Sequence, residues 1–413
     1  MIKRNNKKGF TIVELVIVIA VIAILAAVLI PTFSGIVKKA NLSADQQAVR
    51  QMNVALAAAS AEKTPANIDD VAKILSDAGF NAEDTLVPVS KNHRFYWSAT
   101  YNTIVLVKGT EVVFPTDNDD LVNGFETENN SGKCYDLKLG YGKTAVAGSA
   151  DMDAALAAGQ NITLTAAPEK VTAANAKYES DSRPAGMLVP EDAVVAIDLG
   201  GQTLEADPDA VALAIKGEVV LTNGTISTRS VVVEAGGKLT IGEDVKIVAS
   251  ATNGGQCVRN IGGVVIINGG TFEAMNGDTP TDPNAEPSCI YNSGYMVING
   301  GTFKSNSGAY ALVAAGGTTI INGGTFEASR GAVSATGQAY LEINGGTFTS
   351  NLKDSAYALY YDCDTLNATL KITGGTFNNA AGGYDAHIAG GEKIEIADGI
   401  FTKVTADKYN SAE

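Results

Sequence analysis

The hexapeptide Ile267-Asn268-Gly269-Gly270-Thr271-Phe272 decides how most of this chain folds. The intervals between successive copies, measured from Ile to Ile, are 31, 23, 22, 29 and 24 residues. A period of 22–24 residues with occasional insertions is typical of a solenoid. The motif recurs at 298–303, 321–326 and 343–348, persists as Ile-Thr-Gly-Gly-Thr-Phe at 372–377 and degenerates at 396–401.

Each repeat has room for short strands and turns but not for a helix, and no Leu-x-x-Leu-x-Leu pattern appears. This favours a right-handed parallel β-helix over a leucine-rich repeat. Asn and Gly adopt left-handed backbone conformations at low cost, so Asn-Gly-Gly predicts a tight corner. Ile and Phe should stack inside, one coil about 4.8 Å above the last, over eight to ten coils from about residue 190 to 402. In architecture the repeats resemble the pectin-lyase-like β-helix superfamily.

Two cysteines share one phase of the repeat. Cys257 lies ten residues before Ile267, and Cys289 lies nine before Ile298. A small, inward-facing apolar position is the simpler interpretation. A disulfide between the two is the alternative, because the spacing of adjacent coils falls within the permitted Cα separation. The matching positions of other coils hold Ala311, Ala332, Ala358 and Ala386.

Insertions after the Thr-Phe of the motif predict a ligand face, because solenoid insertions map to loops on one side. Tyr310 and Tyr357 hold the same phase in their coils and could offer flat surfaces to a glycan. Ordinary surface loops are the alternative, since Asp, Pro and Asn favour turns. The charged candidates in the insertions are Asp278, Asp282, Glu286, Lys353 and Asp354, and the other nearby tyrosines are Tyr291, Tyr295, Tyr360 and Tyr361.

Catalysis is not expected. The two histidines, His93 and His387, lie nearly 300 residues apart, and the four cysteines have no Cys-x-x-Cys spacing. These patterns argue against a His-based triad or a metal site, and no cofactor is predicted. A polysaccharide lyase or hydrolase stays as the enzymatic alternative, with Asp362 and Asp364 as neighbouring carboxylates.

A second informative stretch lies upstream: Lys7-Lys8-Gly9-Phe10-Thr11-Ile12-Val13-Glu14-Leu15. Four basic residues precede a 21-residue run, Phe10 to Ile30, in which Glu14 is the one charge. As a helix this run would rise about 31 Å, enough to cross a bilayer core of roughly 30 Å. The basic cluster should stay on the cytoplasmic side.

This stretch resembles the processing and assembly signal of type IV pilins and of the pseudopilins of type II secretion. The resemblance implies that a prepilin peptidase cuts after Gly9 and that Phe10 becomes the N-methylated N-terminus. It also implies that Glu14 pairs with the terminal amine of a neighbouring subunit during assembly. A carboxylate in the membrane costs roughly 2.5–3.5 kcal/mol on insertion scales, so such a group usually has a partner. A plain anchor that tolerates one acid is the alternative.

Between the two stretches, the pattern predicts a pilin-like head of mixed α and β structure at 31–116. A long helix should run from about Phe10 to Ala61, with a second short helix at 68–78 and three antiparallel strands before Pro115. The remaining boundaries are a leader at 1–9, a transmembrane and assembly helix at 10–30, a linker at 117–150, the β-helix at 151–405 and a tail at 406–413.

The formal net charge is −15, with +5 in residues 1–39 and therefore −20 over the remainder. This acidity argues against nucleic acid as a partner. We therefore expect a bacterial membrane protein that assembles with other pilin subunits, as a minor or tip member. Its β-helix would lie outside the cell for adhesion to a surface or glycan. A secretion pseudopilin with a spacer or cargo-binding β-helix is the other alternative.

Overall fold

The computed structural model describes residues 12–80, 86–140, 143–249, 255–274, 288–305, 310–352, 356–364 and 366–406. Within the first helix, the side chains of residues 13, 14, 18, 22–32 and 34 lie outside this description. Helix α1 spans Ile12–Ser60, which confirms the predicted long helix. Of the helices so described, none is both long and apolar enough to cross a membrane.

The head is an α+β unit, as predicted. Helix α2 (Ile68–Asp77) begins at Asn67, whose side chain caps it by accepting from the Asp70 N–H. Four strands form the sheet of the head: β1 (His93–Ser98), β2 (Thr103–Lys108), β3 (Glu111–Phe114) and β4 (Cys134–Asp136). Their order is β3-β2-β1-β4, and α2 with the C-terminal half of α1 covers the face of this sheet where Trp97 and Leu106 are buried.

The predicted linker at 117–150 is wrong, because most of this segment is folded into the head. Helix α3 (Asp119–Asn130) starts at Asn118, whose side chain caps the Leu121 N–H, and its Leu121 and Phe125 fill the second face of the sheet. Because most residues of α3 are polar, the four-residue spacing of Leu121 and Phe125 did not stand out in the sequence. A 3₁₀ turn at Leu137–Gly140, strand β5 (Thr144–Val146) and helix α4 (Ser149–Ala157) lead directly into the solenoid.

The solenoid is built from three parallel sheets, which confirms the β-helix prediction. The Ile sheet, named for the first residue of the motif, has eleven strands among the described residues. They are β5, β6 (Ile162–Leu164), β9 (Val194–Asp198), β12 (Glu218–Thr222), β15 (Lys238–Ile241), β18 (Val264–Ile267), β21 (Tyr295–Ile298), β24 (Thr318–Ile321), β27 (Tyr340–Ile343), β30 (Thr369–Ile372) and β33 (Lys393–Ile396).

The other two sheets complete each coil. In the described chain the Phe sheet comprises β10 (Thr203–Glu205), β13 (Gly224–Thr228), β16 (Val245–Ala249), β19 (Thr271–Ala274), β22 (Thr302–Ser305), β25 (Thr325–Ala328), β28 (Thr347–Ser350) and β31 (Thr376–Asn379). The Tyr sheet comprises β7 (Tyr178–Ser180), β8 (Arg183–Val189), β11 (Val211–Ile215), β14 (Ser230–Glu234), β17 (Gln256–Ile261), β20 (Ser288–Asn292), β23 (Tyr310–Ala314), β26 (Gly331–Gly337), β29 (Tyr357–Cys363), β32 (Tyr384–Gly390) and β34 (Val404–Ala406), with β7 antiparallel to β8.

The motif residues stack in register inside the coils. Ile267 pairs with Ile298, which pairs with Ile321 in the next coil. Phe272 pairs with Phe303, which pairs with Phe326. The phenylalanine rings lie nearly parallel, with centroids of Phe272 and Phe303 4.7 Å apart and those of Phe303 and Phe326 4.5 Å apart. Offset stacking of buried rings adds to the free energy gained by removing them from water.

The Asn-Gly-Gly corner differs from the prediction in one respect. The second glycine takes the left-handed conformation, with φ +97° at Gly270, where a Cβ would lie 2.6 Å from the Val245 carbonyl oxygen. In the described Asn-Gly-Gly corners, the asparagine does not take the left-handed conformation. Instead its side chain bonds to its equivalent in the next coil: Asn299 Nδ2 donates to Asn268 Oδ1 at 2.9 Å, and Asn322 to Asn299 likewise.

The shared phase of Cys257 and Cys289 is confirmed, because their neighbours pair across β17 and β20. In the next three coils the same position holds Ala311, Ala332 and Ala358, as predicted. In the coil of β32 the predicted residue, Ala386, does not occupy it. Ala386 aligns with Leu359, so Asp385 takes the small inward position. Its carboxylate accepts from the N–H groups of Thr402 at 3.0 Å and Lys403 at 2.9 Å and so fastens the final coil.

Charged side chains join the head to the solenoid. Arg94 of β1 lies 3.4 Å from the Glu218 carboxylate of β12 and 3.9 Å from Asp136 of β4. Lys238 of β15 reaches Glu218 at 3.1 Å and donates to Asn129 Oδ1 of α3 at 2.7 Å. Asp136, Glu218 and the Lys238 side chain are almost fully buried, whereas the Arg94 side chain is 39% exposed, so this contact ties the two units together at the edge of their interface.

Replacing Phe326 with Ala should destabilise the solenoid by about 3–5 kcal/mol, because it leaves a cavity in the middle of the ring stack. Phe326→Leu, which keeps most of the buried volume, should cost less. Denaturant unfolding followed by far-ultraviolet circular dichroism would measure both variants. Equal costs for Ala and Leu would contradict the role of the stack.

Asp136→Asn should change how stability depends on pH. Burial and then the Glu218 carboxylate raise the pKa of Asp136 from 3.8 to about 6, against the opposing effects of Lys138 and Arg94. Because this pKa is raised on folding, ionised Asp136 destabilises the fold, an effect absent below about pH 4 and complete above about pH 6. In the wild type, the Lys138 N–H donates to Asp136 Oδ1 at 2.9 Å. The side-chain oxygen of Asn can accept the same hydrogen bond.

The melting temperature of the variant minus that of the wild type should therefore increase between pH 4 and pH 7. Fluorescence of Trp97, the single tryptophan of the chain, reports unfolding of the head. A difference that stays the same across this range would contradict the assignment.

Candidate functional site

The outer face of the Tyr sheet carries the predicted aromatic positions. Tyr310 and Tyr357 stand in one column, since each pairs with Gly331 of the strand between them. This confirms that they share a phase. Tyr360 and His387 form the adjacent column, because β29 and β32 pair them directly.

The rings of these four residues form one cluster. The ring centroids of Tyr357 and Tyr360 are 6.0 Å apart, and His387 lies 5.3 Å from Tyr357. The imidazole stacks on Tyr360 at 5.0 Å with an interplanar angle of 14°. Tyr310 approaches Tyr360 at 6.4 Å. We call Tyr310, Tyr357, Tyr360 and His387 the aromatic cluster.

Polar groups fix the rings of the aromatic cluster. The Tyr360 hydroxyl donates to Asp362 at 3.0 Å, and burial and then this carboxylate raise the Tyr360 pKa. His387 Nδ1 lies 3.1 Å from the Thr405 hydroxyl. The guanidinium of Arg330 lies 5.5 Å from the centre of the Tyr310 ring, within the range of a cation–π contact. The result is a cluster with polar edges in which Tyr360 and His387 are nearly parallel and the other contacting rings are tilted by 37–41°.

Sequence reasoning found only part of this cluster. His387 carried no signal as an isolated histidine, and it becomes recognisable only when the register places it beside Tyr360. Two other tyrosines near the motif are elsewhere: Tyr361 faces the core and is fully buried, and Tyr295 belongs to the Ile sheet. The five charged candidates Asp278, Asp282, Glu286, Lys353 and Asp354 lie outside the described residues.

All four cysteines are buried as free thiols, so the structure agrees with the simpler interpretation of a small, inward-facing position for Cys257 and Cys289 and does not contain the alternative disulfide. Cys257 and Cys289 nevertheless lie one above the other, and each thiol donates to a backbone carbonyl, Ile247 at 3.3 Å and Lys304 at 2.8 Å. Burial and then the Cys257 thiol raise the pKa of Cys289 well above its ordinary value. Burial likewise raises the pKa of Cys134 to about 12 and of Cys363 to about 11.

No group of three or more His, Cys, Asp or Glu side chains could hold a metal ion within the ranges that the structure describes. Of the two candidate carboxylates for catalysis, Asp362 accepts from the Tyr360 hydroxyl on the outer face of the Tyr sheet. Asp364 follows the end of β29.

The processing residues Gly9 and Phe10 lie outside the described residues. Glu14 belongs to the backbone of α1, but its side chain also falls outside the description. From Leu15 to Val21 the described apolar side chains of α1 are half or more exposed. This segment is interpreted from its similarity to known proteins.

Residues 4–30 match the family model of the prokaryotic N-terminal methylation motif. The chain is also 65% identical over 37 residues to the "Type IV wide pilus major component PilA4" of Thermus thermophilus. This chain has a type IV pilin-like N-terminus.

The pilin-like N-terminus is a small part of the molecule. The matched 37 residues are 9% of this chain and 28% of the Thermus protein. No solved structure matches the chain. The head and the solenoid therefore have to be interpreted from their own geometry.

The four native thiols should resist iodoacetamide at pH 8, because all four are buried and out of contact with the reagent. Mass spectrometry should show no label on the folded protein and four labels after denaturation. As a matched control, Thr325→Cys places a thiol on an exposed strand position and should react in the folded state. Native labelling of Cys257 or Cys289, or two labels missing after denaturation, would contradict this result.

Proposed function

We propose that this chain is a minor or tip subunit of a type IV pilus or pseudopilus, which displays its β-solenoid outside the cell for adhesion. The observation that carries the proposal is the methylation motif at residues 4–30, which overlaps the start of the 49-residue helix α1 (Ile12–Ser60) that leads into the head and the solenoid. The role is non-enzymatic.

Before assembly, the apolar run at 10–30 spans the bacterial membrane, with the basic leader in the cytoplasm. A prepilin peptidase removes residues 1–9 and Phe10 becomes the methylated N-terminus. Glu14 pairs with the terminal amine of a neighbouring subunit, and exposed apolar side chains such as Leu15, Ile17 and Ile19 supply surface for packing between subunits.

A minor position follows from the bulk of the solenoid and from its fixed attachment. The contact among Arg94, Glu218 and Lys238 holds the solenoid against the head, so each copy carries the whole rod into the filament. Closely spaced copies would then compete for the same space. A few copies, or one at the tip, avoid this steric conflict.

Adhesion is supported by the aromatic cluster on the Tyr sheet. Tyr357, Tyr360 and His387 are partly exposed, and apolar patches that reach the surface often mark interaction sites. Planar rings with polar edges are suited to sugars, whose faces are apolar and whose rims carry hydroxyl groups. We therefore favour a glycan over an apolar ligand.

Gly9→Leu should block processing, whereas Gly9→Ala should allow it, because the cleavage site needs a small residue. The proteins would be produced in cells that contain a prepilin peptidase, and mass spectrometry would identify the N-terminus. We expect methylated Phe10 in the wild type and an attached leader in Gly9→Leu. Finding Phe10 at the N-terminus of Gly9→Leu would overturn the pilin-like assignment.

Purified filaments test the minor position separately. Quantitative mass spectrometry should find this chain as a small fraction of the filament protein, with its methylated peptide present. A filament in which this chain is the dominant component would refute the minor or tip role.

A further inference from the structure

The arginines of the solenoid are confined to one sheet. After residue 143 the sequence has four arginines, Arg183, Arg229, Arg259 and Arg330. Arg183 and Arg259 lie in strands of the Tyr sheet, and Arg229 and Arg330 each immediately precede one. The strands described for this sheet contain no lysine, although Lys216 directly follows β11 and Lys403 directly precedes β34. The described strands of the other two sheets carry Lys238, Lys246, Lys304, Lys371 and Lys393.

Arg229 is unusual among them because it is buried and incompletely paired. It is 8% exposed, and its Nη1 has no hydrogen-bond partner in the part of the chain that the structure describes. The Asp209 carboxylate lies 3.6 Å from this atom but is itself largely exposed. Burial and then the charges of Arg183 and Arg259 lower the pKa of Arg229. A buried guanidinium with an unused donor is suited to a second anion.

Arg259 extends this positive charge to the aromatic row. Its Nε lies 2.7 Å from the Asp181 carboxylate, and its guanidinium lies 4.5 Å from the centre of the Tyr291 ring. The register then continues along one outer row, from Arg259 and Tyr291 through Val313 and Ser334 to Tyr360 and His387. The row therefore begins with Arg259 and ends with stacked rings, while Arg229 and Arg183 lie outside this row, at the starts of β14 and β8.

We propose that the outer face of the Tyr sheet, which contains this row, binds an anionic polysaccharide. Its carboxylate or sulfate groups contact Arg183, Arg229 and Arg259, and its sugar rings lie on Tyr291, Tyr357, Tyr360 and His387. Guanidinium groups bind such oxyanions through paired hydrogen bonds and are weakly hydrated, so desolvating them costs less than desolvating lysine. A coil spacing of about 4.8 Å is close to the length of one sugar unit in an extended chain.

The surrounding charge explains why the site would be confined to this face. The chain beyond residue 39 carries a net charge of −20, which repels polyanions from most of its surface. Asp181 and Asp209 border the row, so a bound chain would have to share or replace their contacts with Arg259 and Arg229. This requirement favours a polymer with repeated anionic groups over a single small anion.

The inference deepens the proposed adhesive role and rests on it for biological context, but its test does not depend on filament assembly. The full chain in detergent micelles would be titrated with alginate, dextran sulfate and neutral dextran in a calorimeter. Alginate or dextran sulfate should bind, more weakly at higher salt, and neutral dextran should bind at least about tenfold more weakly. The two polyanions distinguish a carboxylate ligand from a sulfate ligand.

Arg259→Gln should weaken polyanion binding by about tenfold or more, a typical result of losing a charge-assisted contact. Arg259→Lys keeps the charge but loses the planar group, so its loss should be intermediate. Tyr360→Leu should also weaken binding. The controls are Lys304→Gln on the Phe sheet and Tyr340→Leu on the Ile sheet, which remove one positive charge and one tyrosine from other outer faces and should leave affinity unchanged.

Equal binding of neutral dextran, equal losses in the control variants, or tighter binding of a single-stranded DNA oligonucleotide than of either polysaccharide would each overturn the proposal. The processing of Gly9 and Phe10 is read separately by mass spectrometry. If processing occurs as expected and no polyanion binds, the inference fails while the pilin-like role stands. If polyanions bind but Phe10 is never exposed, the filament role fails.

Discussion

Parallel pairing of each coil with the next, in register, is the constraint on which this structure depends. It places every residue directly over its equivalent one coil away, so a side chain that is acceptable once must be acceptable as a column. Phe272, Phe303 and Phe326 satisfy this by ring stacking, and Asn268 and Asn299 by amide-to-amide hydrogen bonds. The same constraint builds the outer row of the Tyr sheet, because it aligns functional side chains as strictly as core ones.

The repeat made the solenoid predictable because each residue type of the motif recurs for a physical reason. Ile and Phe recur where they are buried, and the second glycine recurs where only a left-handed backbone fits. Segments without a repeat were harder to interpret. Leu121 and Phe125 of α3 bury a face in a sequence otherwise rich in Asp, Asn and Glu, and their partners come from distant strands. Local composition does not reveal such long-range burial.

The candidate site was predictable only within the repeats. Counting back from the motif paired Tyr310 with Tyr357 correctly, but the same counting gave Ala386 instead of Asp385, since corner lengths vary between coils. Arg183, Arg229 and Arg259 precede the first clear motif, so no counting from the sequence could bring them together. Their proximity depends on the strand register of β8, β14 and β17.

The junction between head and solenoid has an evolutionary consequence. The charged contacts of Arg94 and Lys238 involve β12 and β15, which belong to the early coils, while Asp385 fastens the opposite end. Each intervening coil pairs only with its two neighbours. Duplication or loss of one 22–24-residue unit would therefore change the length of the solenoid without disturbing its attachment to the head. Lineages could tune how far this subunit extends from the cell by gene-level changes in repeat number alone.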